Sequence, residues 1–331
     1  MIVKSFAKIN LSIDVGPRDD SGYHRVDMVM QQLSFHDDVT VEYMPSDPGQ
    51  EGCGTASGDG GSFDIEVSTN RYYLPVDRKN LAYQAAELMA SVASECPVQV
   101  DPGTIRISIR KRIPIAAGLA GGSGNAAAVL HALNMIWGLK LSLSDLMDLG
   151  ARLGSDVPYC VMGQARANRD LPEYIRKDPM AASCARATGR GTDLVPVIPL
   201  NAWMVIAKPK LSVSTKEVYD GIDSREIKRR PDNDRLIKKM TENARKGKGF
   251  VRFNQSFCED LINVLEEYTL DQYPEVKSLK SDIAAHGARF TLMSGSGPTV
   301  FGIFGSMTAA REAADSLRAD GVEAYWTRTN I

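Results

Sequence analysis

The sequence predicts an α+β protein of two domains. Its 331 residues are close to the length at which one hydrophobic core divides into two. Segments with the spacing of strands are interspersed with segments with the spacing of helices. A glycine-rich stretch within residues 111–137 joins a predicted strand to a predicted helix. We therefore expect two domains that share a ligand-binding cleft.

The individual elements follow from apolar spacing and from residues that start or stop helices. Gly16-Pro17 should end the first strand, Gly138 should end the helix after the glycines, and Ser142 with Asp145 has capping-box spacing. The predicted strands are 2–15, one or two within 26–43, 105–113, 203–207, 289–293, 300–304 and 324–327. The predicted helices are 80–92, 126–137, 142–153, 253–265, 274–286 and 307–319, with helical spacing also plausible within 225–248. Residues 46–62 and 164–182 are polar and predicted to be irregular.

Composition and charge exclude several classes of protein. The net charge of −2 provides no field that would steer the chain onto nucleic acid or a membrane. No apolar run approaches the ~20 residues of a transmembrane helix, and the first residues lack a signal-peptide pattern. The five cysteines are scattered and show no metal-ligand spacing. We expect a cytoplasmic protein with reduced thiols, no metal held by its own side chains, and neither a nucleic-acid nor a membrane partner.

The glycine-rich stretch has features of an anion site. The first N–H groups of a helix have no partner within it and carry the positive end of its dipole, so a phosphate fits there. A tight strand-to-helix connection with nothing bound would also explain the glycines. The residues that allow positive φ and close approach of another group are Gly118, Gly121, Gly122 and Gly124.

The loop does not match two common nucleotide motifs. A P-loop needs a lysine after its last glycine, and none follows here. A dinucleotide fingerprint needs a third glycine where Ala127 stands. The pattern instead resembles the phosphate loop of the GHMP kinases, in Pro114, Gly118-Leu119, Gly121-Gly122-Ser123 and Asn125-Ala126-Ala127.

Three further segments resemble one branch of that family, the 4-diphosphocytidyl-2-C-methyl-D-erythritol kinases. They are Ala7-Lys8-Ile9-Asn10-Leu11, Gly22-Tyr23-His24 and Gly154-Ser155-Asp156-Val157-Pro158. Taken alone, Lys8 would be a strand lysine whose stem packs and whose head reaches water, and Asp156 a local hydrogen-bond acceptor. Residues 294–304 resemble the third GHMP motif, whose backbone supports the phosphate loop.

The resemblance implies a fold and its boundaries. The N-terminal domain would be like domain 2 of ribosomal protein S5, and the C-terminal domain would be a ferredoxin-like α/β domain. We place an ATP-binding domain at residues 1–163, an inserted loop at 164–184 and a substrate domain at 185–331. The inserted loop would be either a lid or a surface decoration. We expect a monomer or a weak homodimer.

The resemblance also implies a reaction. ATP, with Mg²⁺, would phosphorylate the 2-hydroxyl of 4-diphosphocytidyl-2-C-methyl-D-erythritol, a cytidine diphosphate-linked polyol of the non-mevalonate isoprenoid pathway. Asp156 would accept or orient the hydroxyl proton, and Lys8 would stabilise charge during transfer. The implied ATP-binding residues are Pro114, Ala116, Ala117, Gly118, Leu119, Ala120, Gly121, Gly122, Ser123, Gly124, Asn125 and, beside adenine, Asn80. The implied substrate-binding residues are Asn10, Tyr23, His24, Thr215 and Tyr219, with the tyrosines stacking on cytosine and His24 hydrogen bonding at its edge.

One departure and two alternatives remain. The family usually has three glycines and two serines in this loop, whereas this chain has Ala120 at the first glycine and Gly124 at the second serine. A hydroxyl contact to phosphate or metal would then come from Ser123 or from water. Another GHMP kinase, acting on mevalonate, homoserine or a sugar, would share the loop but would not need cytosine-stacking tyrosines. A non-catalytic ligand-binding homologue would share the fold. Taken alone, Asn80 would be a plain helix cap that needs no ligand.

Overall fold

The computed structural model describes residues 1–20, 22–46, 63–246 and 250–330. The chain forms two compact units, each assembled from separate stretches of sequence. Unit 1 consists of Met1–Ser5, Asp37–Arg112 and Gly121–Ala181, and unit 2 of Phe6–His36, Ile113–Ala120 and Ala182–Ile331. The domain boundaries expected from the resemblance stay a prediction, and the loop expected at 46–62 lies, apart from Ser46, outside the described residues.

The strands fall at positions up to Arg110 and from Cys184 onward in the described chain. In order they are β1 (Ile2–Arg18), β2 (His24–Pro45), β3 (Asp64–Thr69), β4 (Gly103–Arg110), β5 (Cys184–Thr188), β6 (Asp193–Pro196), β7 (Leu200–Asn201), β8 (Trp203–Lys208), β9 (Val251–Arg252), β10 (Phe290–Met293), β11 (Val300–Phe304) and β12 (Glu323–Arg328).

The helices alternate with groups of strands along the chain. They are α1 (Leu81–Glu95), α2 (Gly121–Ile136), α3 (Leu143–Leu153), α4 (Val157–Ala167), α5 (Glu173–Arg176), α6 (Thr215–Ile222), α7 (Asn233–Lys246), α8 (Glu266–Gln272), α9 (Pro274–Ala285) and α10 (Met307–Ala319), with a 3₁₀ turn at Gln255–Phe257.

Unit 1 packs helices against a small sheet. The second half of β2 pairs antiparallel with β4, placing Val41 opposite Ile107, and β3 pairs parallel with β4. Helix α2 packs against both α1 and α4, and α3 packs against α4. Nearly all of α2 from Gly124 to Asn134 is buried, which explains why its sequence is apolar or small on most faces. Its position at the centre of the unit holds its first turn in place.

Unit 2 contains an antiparallel sheet in the order β10-β11-β8-β12. Phe301 of β11 lies opposite Ile206 of β8, which in turn lies opposite Tyr325 of β12. Helices α9 and α10 pack on this sheet. In the same unit the first half of β2 pairs with β5, and β5 pairs with β6. Side chains of β1 such as Ile9 and Leu11 belong to the hydrophobic core of this unit.

Helix predictions that rested on caps are confirmed. The Asn80 Oδ1 atom accepts a hydrogen bond from Ala82 N at 3.0 Å, at the start of α1. Ser142 and Asp145 form the predicted capping box, and α3 ends at Gly154 as expected. These signals act within a few residues of the chain, so tertiary contacts have little opportunity to override them.

The first two strands are longer than predicted. Gly16-Pro17 does not end β1, which continues to Arg18. Of the one or two strands predicted within 26–43, the structure has one, β2, which is longer at both ends. The Asp19 N–H donates to Tyr23 O at 2.7 Å, so the two strands are held together up to a short turn. Proline is tolerated where a strand needs no N–H donor from that position.

The helix predicted at 253–265 is wrong. The segment contains only the 3₁₀ turn, and helix α8 starts at Glu266. Ile13 exchanges backbone hydrogen bonds with Ile262 and Val264, and the Asn263 amide donates to Met293 O at 2.9 Å. These contacts to distant strands keep the residues around Asn263 out of a helix, which the helical spacing did not reveal.

The irregular structure predicted at 164–182 is also corrected. Helix α4 runs on to Ala167, and the short helix α5 follows it. Leu171 and Ile175 are buried, so this segment contributes to the core of unit 1. Its predicted status as an insertion relative to other family members stays a prediction.

Candidate active site

The first half of the glycine-rich loop, Ile113–Ala120, lies in unit 2. The Lys8 N–H donates to Leu119 O at 3.1 Å, and the Ser294 hydroxyl donates to Gly118 O at 3.0 Å. Gly118 has φ of +67°, and a Cβ placed on it would lie 2.4 Å from the Ser294 carbonyl oxygen. The segment that begins at Ser294 therefore supports the loop, as expected, and only glycine fits at position 118 without a shift.

The second half of the loop is the first turn of α2, in unit 1. The helix begins at Gly121, five residues before the predicted start at Ala126. The Asn125 amide is oriented so that its nitrogen donates to Gly121 O at 3.1 Å and to Asp37 Oδ2 at 3.0 Å. In addition, the Gln164 amide donates to Gly124 O at 2.7 Å. Side-chain amides thus donate hydrogen bonds to main-chain carbonyls of this turn. Its first N–H groups form the positive end of the helix.

A buried ion pair fixes the chain just before the loop. Lys111 Nζ lies 2.5 Å from Asp37 Oδ2, and the two side chains are 5% and 0% exposed. Burial lowers the pKa of the Lys111 ammonium group, and the Asp37 carboxylate opposes this effect by favouring the charged form. The Arg112 N–H also donates to Asp37 Oδ1, at 2.6 Å. Sequence reasoning assigned no role to Lys111 or Asp37, and Asp37 carries no local signal that links it to the loop.

Lys8 lies in the core of unit 2. The residue is only 4% exposed, so the interpretation of a strand lysine whose head reaches water is wrong. Its Nζ atom donates to Asn10 Oδ1 at 2.9 Å, and the Asn10 amide nitrogen lies 3.2 Å from the Met28 sulfur. Asn10 therefore orients Lys8. Its predicted contact with substrate stays a prediction.

Asp156 stands at the start of helix α4, in unit 1. Its backbone is helical, with φ of −83° and ψ of −13°, and its carboxylate makes no capping hydrogen bond to that helix. Pro158 lies in the first turn and needs no N–H partner. The positive end of the α4 dipole stabilises a carboxylate at this position. The carboxylate is therefore held at a helix start without serving as its cap.

The predicted base-binding residues come together in unit 2. Tyr23 follows a short turn and is 63% exposed, whereas His24 is buried at the start of β2. The His24 ring lies 5.8 Å from the Tyr219 ring, tilted by 47°. His24 Nδ1 donates to Gly16 O at 2.9 Å, because a carbonyl can only accept. The ring of His24 is therefore fixed between the first strand and helix α6.

An arginine clamp, which sequence reasoning missed, surrounds this group. The Arg18 guanidinium binds Asp220 at 2.6 Å and Asp223 at 2.8 Å, and it donates to Gly22 O at 3.1 Å. Its hydrogen bond holds the pKa of Asp220 below the usual range. The other oxygen of Asp223 lies 3.3 Å from His24 Nε2, but the atoms are not aligned for a hydrogen bond. The clamp ties α6 to the β1–β2 turn, which are about 200 residues apart in sequence.

The remaining predicted residues divide between the units. In unit 2, Thr215 begins α6, and its hydroxyl lies 2.9 Å from the hydroxyl of Ser296. In unit 1, Asn80 caps α1, and its amide also donates to Pro75 O at 2.8 Å. Both side chains thus have structural partners, and their predicted ligands stay predictions.

The described residues hold neither a cluster of metal-ligating side chains nor a helix that could cross a membrane. Residues 1–20, 22–46, 63–246 and 250–330 contain no group of three or more His, Cys, Asp or Glu side chains placed to hold a metal ion. No helix in those ranges has both the length and the apolar character needed to cross a lipid bilayer.

Comparison with known proteins identifies the family. The model of the GHMP kinases N terminal domain matches residues 80–164, and that of the GHMP kinases C terminal domain matches residues 226–323. The 4-diphosphocytidyl-2-C-methyl-D-erythritol kinase of Alkaliphilus metalliredigens is 39% identical, over 95% of this chain and 91% of its own. The kinase of the same name from Caldicellulosiruptor saccharolyticus is 36% identical, over 99% of this chain and 97% of its own.

Solved structures agree with this assignment. A crystal structure of 4-(cytidine 5'-diphospho)-2C-methyl-D-erythritol kinase matches all of both chains with a TM-score of 0.73 at 28% identity. Homoserine kinase from Cytophaga hutchinsonii, at 15% identity and a TM-score of 0.61, shares the fold alone. These matches confirm the predicted two-domain GHMP kinase fold with mixed helices and sheets. The chain belongs to the GHMP kinase family and, within it, to the 4-diphosphocytidyl-2-C-methyl-D-erythritol kinases.

Proposed function

We propose that this protein transfers the γ-phosphate of ATP to the 2-hydroxyl of 4-diphosphocytidyl-2-C-methyl-D-erythritol, a step in isoprenoid precursor synthesis. The observation that carries the proposal is similarity to kinases of that name over 95% of the chain or more. In the reaction the hydroxyl oxygen forms a bond to the γ-phosphorus while the bond to ADP breaks, and the hydroxyl loses its proton. The cytoplasmic location and the monomer or weak homodimer stay predictions.

The glycine-rich loop is proposed to hold the ATP phosphates. The N–H groups of Gly121, Gly122 and Ser123 have no partners within α2, because they lie in its first turn. An added Cβ at Gly122 would lie 3.7 Å from Leu81 Cδ1, so the Asn80-Leu81 pair adjoins that turn. This proximity supports the proposed place of adenine beside Asn80.

Mg²⁺ is proposed to enter with the nucleotide. This ion keeps several waters and usually binds substrate phosphates with one or two protein oxygens, so it does not require a cage of side chains. The donor set of unit 1 fits this mode, because the Ser123 hydroxyl stands in the first turn of α2. Bound there, the ion would offset the negative charge of the phosphates.

Lys8 and Asp156 are proposed to be the catalytic residues. Asp156 would accept or orient the proton of the 2-hydroxyl, for which a carboxylate not used as a helix cap is suited. Lys8 would stabilise negative charge on the transferring phosphoryl group, and its burial strengthens that interaction by excluding water. Asn10 would act by orienting the Lys8 ammonium group.

The group around His24 is proposed to bind the cytosine. Tyr23 offers an exposed ring for stacking, and the ring of Tyr219 lies 5.8 Å from that of His24. Because His24 Nδ1 is already bound to Gly16 O, the ring is held in one orientation toward a ligand. We propose that Thr215, beside Ser296, completes the substrate side.

Two substitutions test the catalytic roles. Asp156→Asn and Lys8→Ala should lower kcat by about 10²–10⁴-fold, because each removes a group that acts mainly in the transition state. ADP release in the presence of ATP and the cytidine substrate measures the rate. Asp148→Asn, on the exposed surface of α3, and Lys4→Ala, on an exposed position of β1, are matched controls that should stay within about twofold of wild type.

A substrate panel tests the reaction itself. Mevalonate, homoserine and galactose should not be phosphorylated at a rate comparable to the cytidine substrate. Turnover of one of these in its place would assign the chain to another activity of the family. If either catalytic variant keeps the wild-type rate, the role assigned to that residue is wrong.

A further inference from the structure

An arginine covers the exposed tyrosine of the proposed base site. The Arg190 Cζ atom lies 4.7 Å from the centroid of the Tyr23 ring, within unit 2. Arg190 Nε is 3.5 Å from Asp19 Oδ2, while the Tyr23 N–H donates to the other oxygen of Asp19 at 3.2 Å. Asp19 therefore contacts both the backbone N–H of Tyr23 and the Arg190 guanidinium that covers the Tyr23 ring. Sequence reasoning assigned no role to Arg190.

The main chain that carries Arg190 is fixed. Arg190 stands in the tight turn between β5 and β6, flanked by Gly189 with φ of +66° and Gly191 with φ of +92°. The Gly191 N–H donates to Thr188 O at 2.9 Å, and Gly189 O accepts from Val26 N at 2.9 Å. Movement in this turn is therefore expected in the long Arg190 side chain rather than in the backbone.

The side chain of Arg190 is accessible to a ligand. It is 52% exposed, and its distance of 3.5 Å to Asp19 is long for an ion pair. Such exposed pairs contribute about 1 kcal/mol or less, and the contact of a cation with an exposed ring is of similar size. A ligand that offers a stronger anion can therefore draw the guanidinium away from Asp19.

We propose that Arg190 binds the diphosphate of the cytidine substrate, an inference that rests on the proposed function. A base stacked at Tyr23 places its diphosphate several ångströms away through the ribose, within the sweep of an arginine side chain anchored beside the ring. The guanidinium fork matches two phosphate oxygens at once, which an ammonium group does not. Arg190 covers the ring in the free protein and exchanges that contact for the diphosphate when the substrate binds.

Direct binding measurements test this inference. Dissociation constants of cytidine, CDP and UDP are measured by calorimetry for the wild type, Arg190→Met and Arg190→Lys. Arg190→Met keeps the length of the side chain but removes its charge, so CDP should bind about tenfold more weakly while cytidine changes by less than about twofold. The affinity of Arg190→Lys for CDP should lie between those of the wild type and Arg190→Met, since lysine keeps the charge but lacks the two-pronged guanidinium. Raised salt should weaken CDP binding in the wild type more than in Arg190→Met.

The control is Arg252→Met, because Arg252 also lies over an aromatic ring of unit 2, that of Phe250 at 5.7 Å. It should leave CDP binding unchanged. An unaltered affinity of Arg190→Met for CDP, or equal losses for CDP and cytidine, would overturn the inference and leave the proposed function standing. A wild-type protein that binds CDP no better than UDP would refute the proposed function and this inference with it.

Discussion

Gly118→Ala is the sharpest structural test of how the glycine-rich loop is held. Gly118 has φ of +67°, and an added Cβ would lie 2.4 Å from Ser294 O and 3.1 Å from Gly297 O. Ordinary contact begins near 3.4 Å, so the Ser294 carbonyl or the loop must move by about 1 Å. Both carbonyls belong to main chain in a buried turn, where no side chain can simply rotate away.

The expected loss of stability has two parts. An L-residue in the left-handed region costs about 1–2 kcal/mol relative to glycine. Overlap with packed backbone adds about 1–3 kcal/mol. Gly321→Ala provides the matched control, because Gly321 lies in the same unit with φ of +80° and has nothing within 4 Å of the added Cβ. The difference between the two variants therefore isolates the contact with Ser294.

The measurements are urea unfolding and steady-state kinetics. Gly118→Ala should unfold at lower urea than Gly321→Ala by the equivalent of about 1–3 kcal/mol. A displacement of about 1 Å in groups that position a reactant can reduce kcat/KM by ~100-fold, so kcat/KM for ATP should fall in Gly118→Ala and not in the control. Equal stability and equal kcat/KM in both variants would show that the Ser294 carbonyl does not restrict position 118.

Two further predictions concern buried titratable groups in unit 1. Burial lowers the pKa of His131 to about 4 from 6.5, so its contribution to stability is present above pH 6.5 and is lost as pH falls through about 4. Unfolding free energy should drop by about 2 kcal/mol from pH 7.5 to pH 5 through this group, and much less in His131→Gln, whereas identical pH profiles would contradict the assignment. Lys111→Met should cost about 3–5 kcal/mol because it leaves Asp37 buried without its cation. Arg106→Met, which breaks the exposed pair with Glu66, should cost much less. Equal losses of unfolding free energy in the two variants, measured with denaturant, would show that burial of the Lys111–Asp37 pair makes no difference.

Elements with local signals were the ones that sequence reasoning placed correctly. Ser142 and Asp145 fix the start of α3 through their own side chains, and Ser306 accepts from Ala309 N in the same way at the start of α10. A cap involves only a few neighbouring residues, so its contribution to helix stability depends little on the rest of the fold. The loop motif was readable only in part, because Gly118 takes the positive φ expected of it. Gly121, Gly122 and Gly124 instead lie in helix α2 without positive φ, so the expectation of positive φ at those three positions is wrong.

Features that depend on long-range contacts could not be predicted. Helical spacing at 253–265 was misleading because the Asn263 amide binds main-chain carbonyls of Met293 and Gly295, more than 25 residues away. The partnership of Lys111 with Asp37 joins residues 74 positions apart, and a lysine beside a loop gives no hint of its partner. Arg190 over Tyr23 is a similar case, since only the folded chain shows which ring the guanidinium covers.

The two alanines of the loop indicate how its shape is maintained. Ala116 has φ of +49° and Ala120 has φ of +55°, values that cost about 1–2 kcal/mol each for a residue with a Cβ. Such strain persists only where surrounding contacts over-determine the backbone, and Leu119 O and Gly118 O are both held by hydrogen bonds from outside the loop. Alanine also has fewer conformations than glycine in the unfolded chain, which offsets about 0.4–1 kcal/mol of the strain. Glycine is therefore required at Gly118, where a carbonyl fills the space of the Cβ. At Ala116 and Ala120 the protein's own contacts keep a residue with a Cβ in the left-handed region.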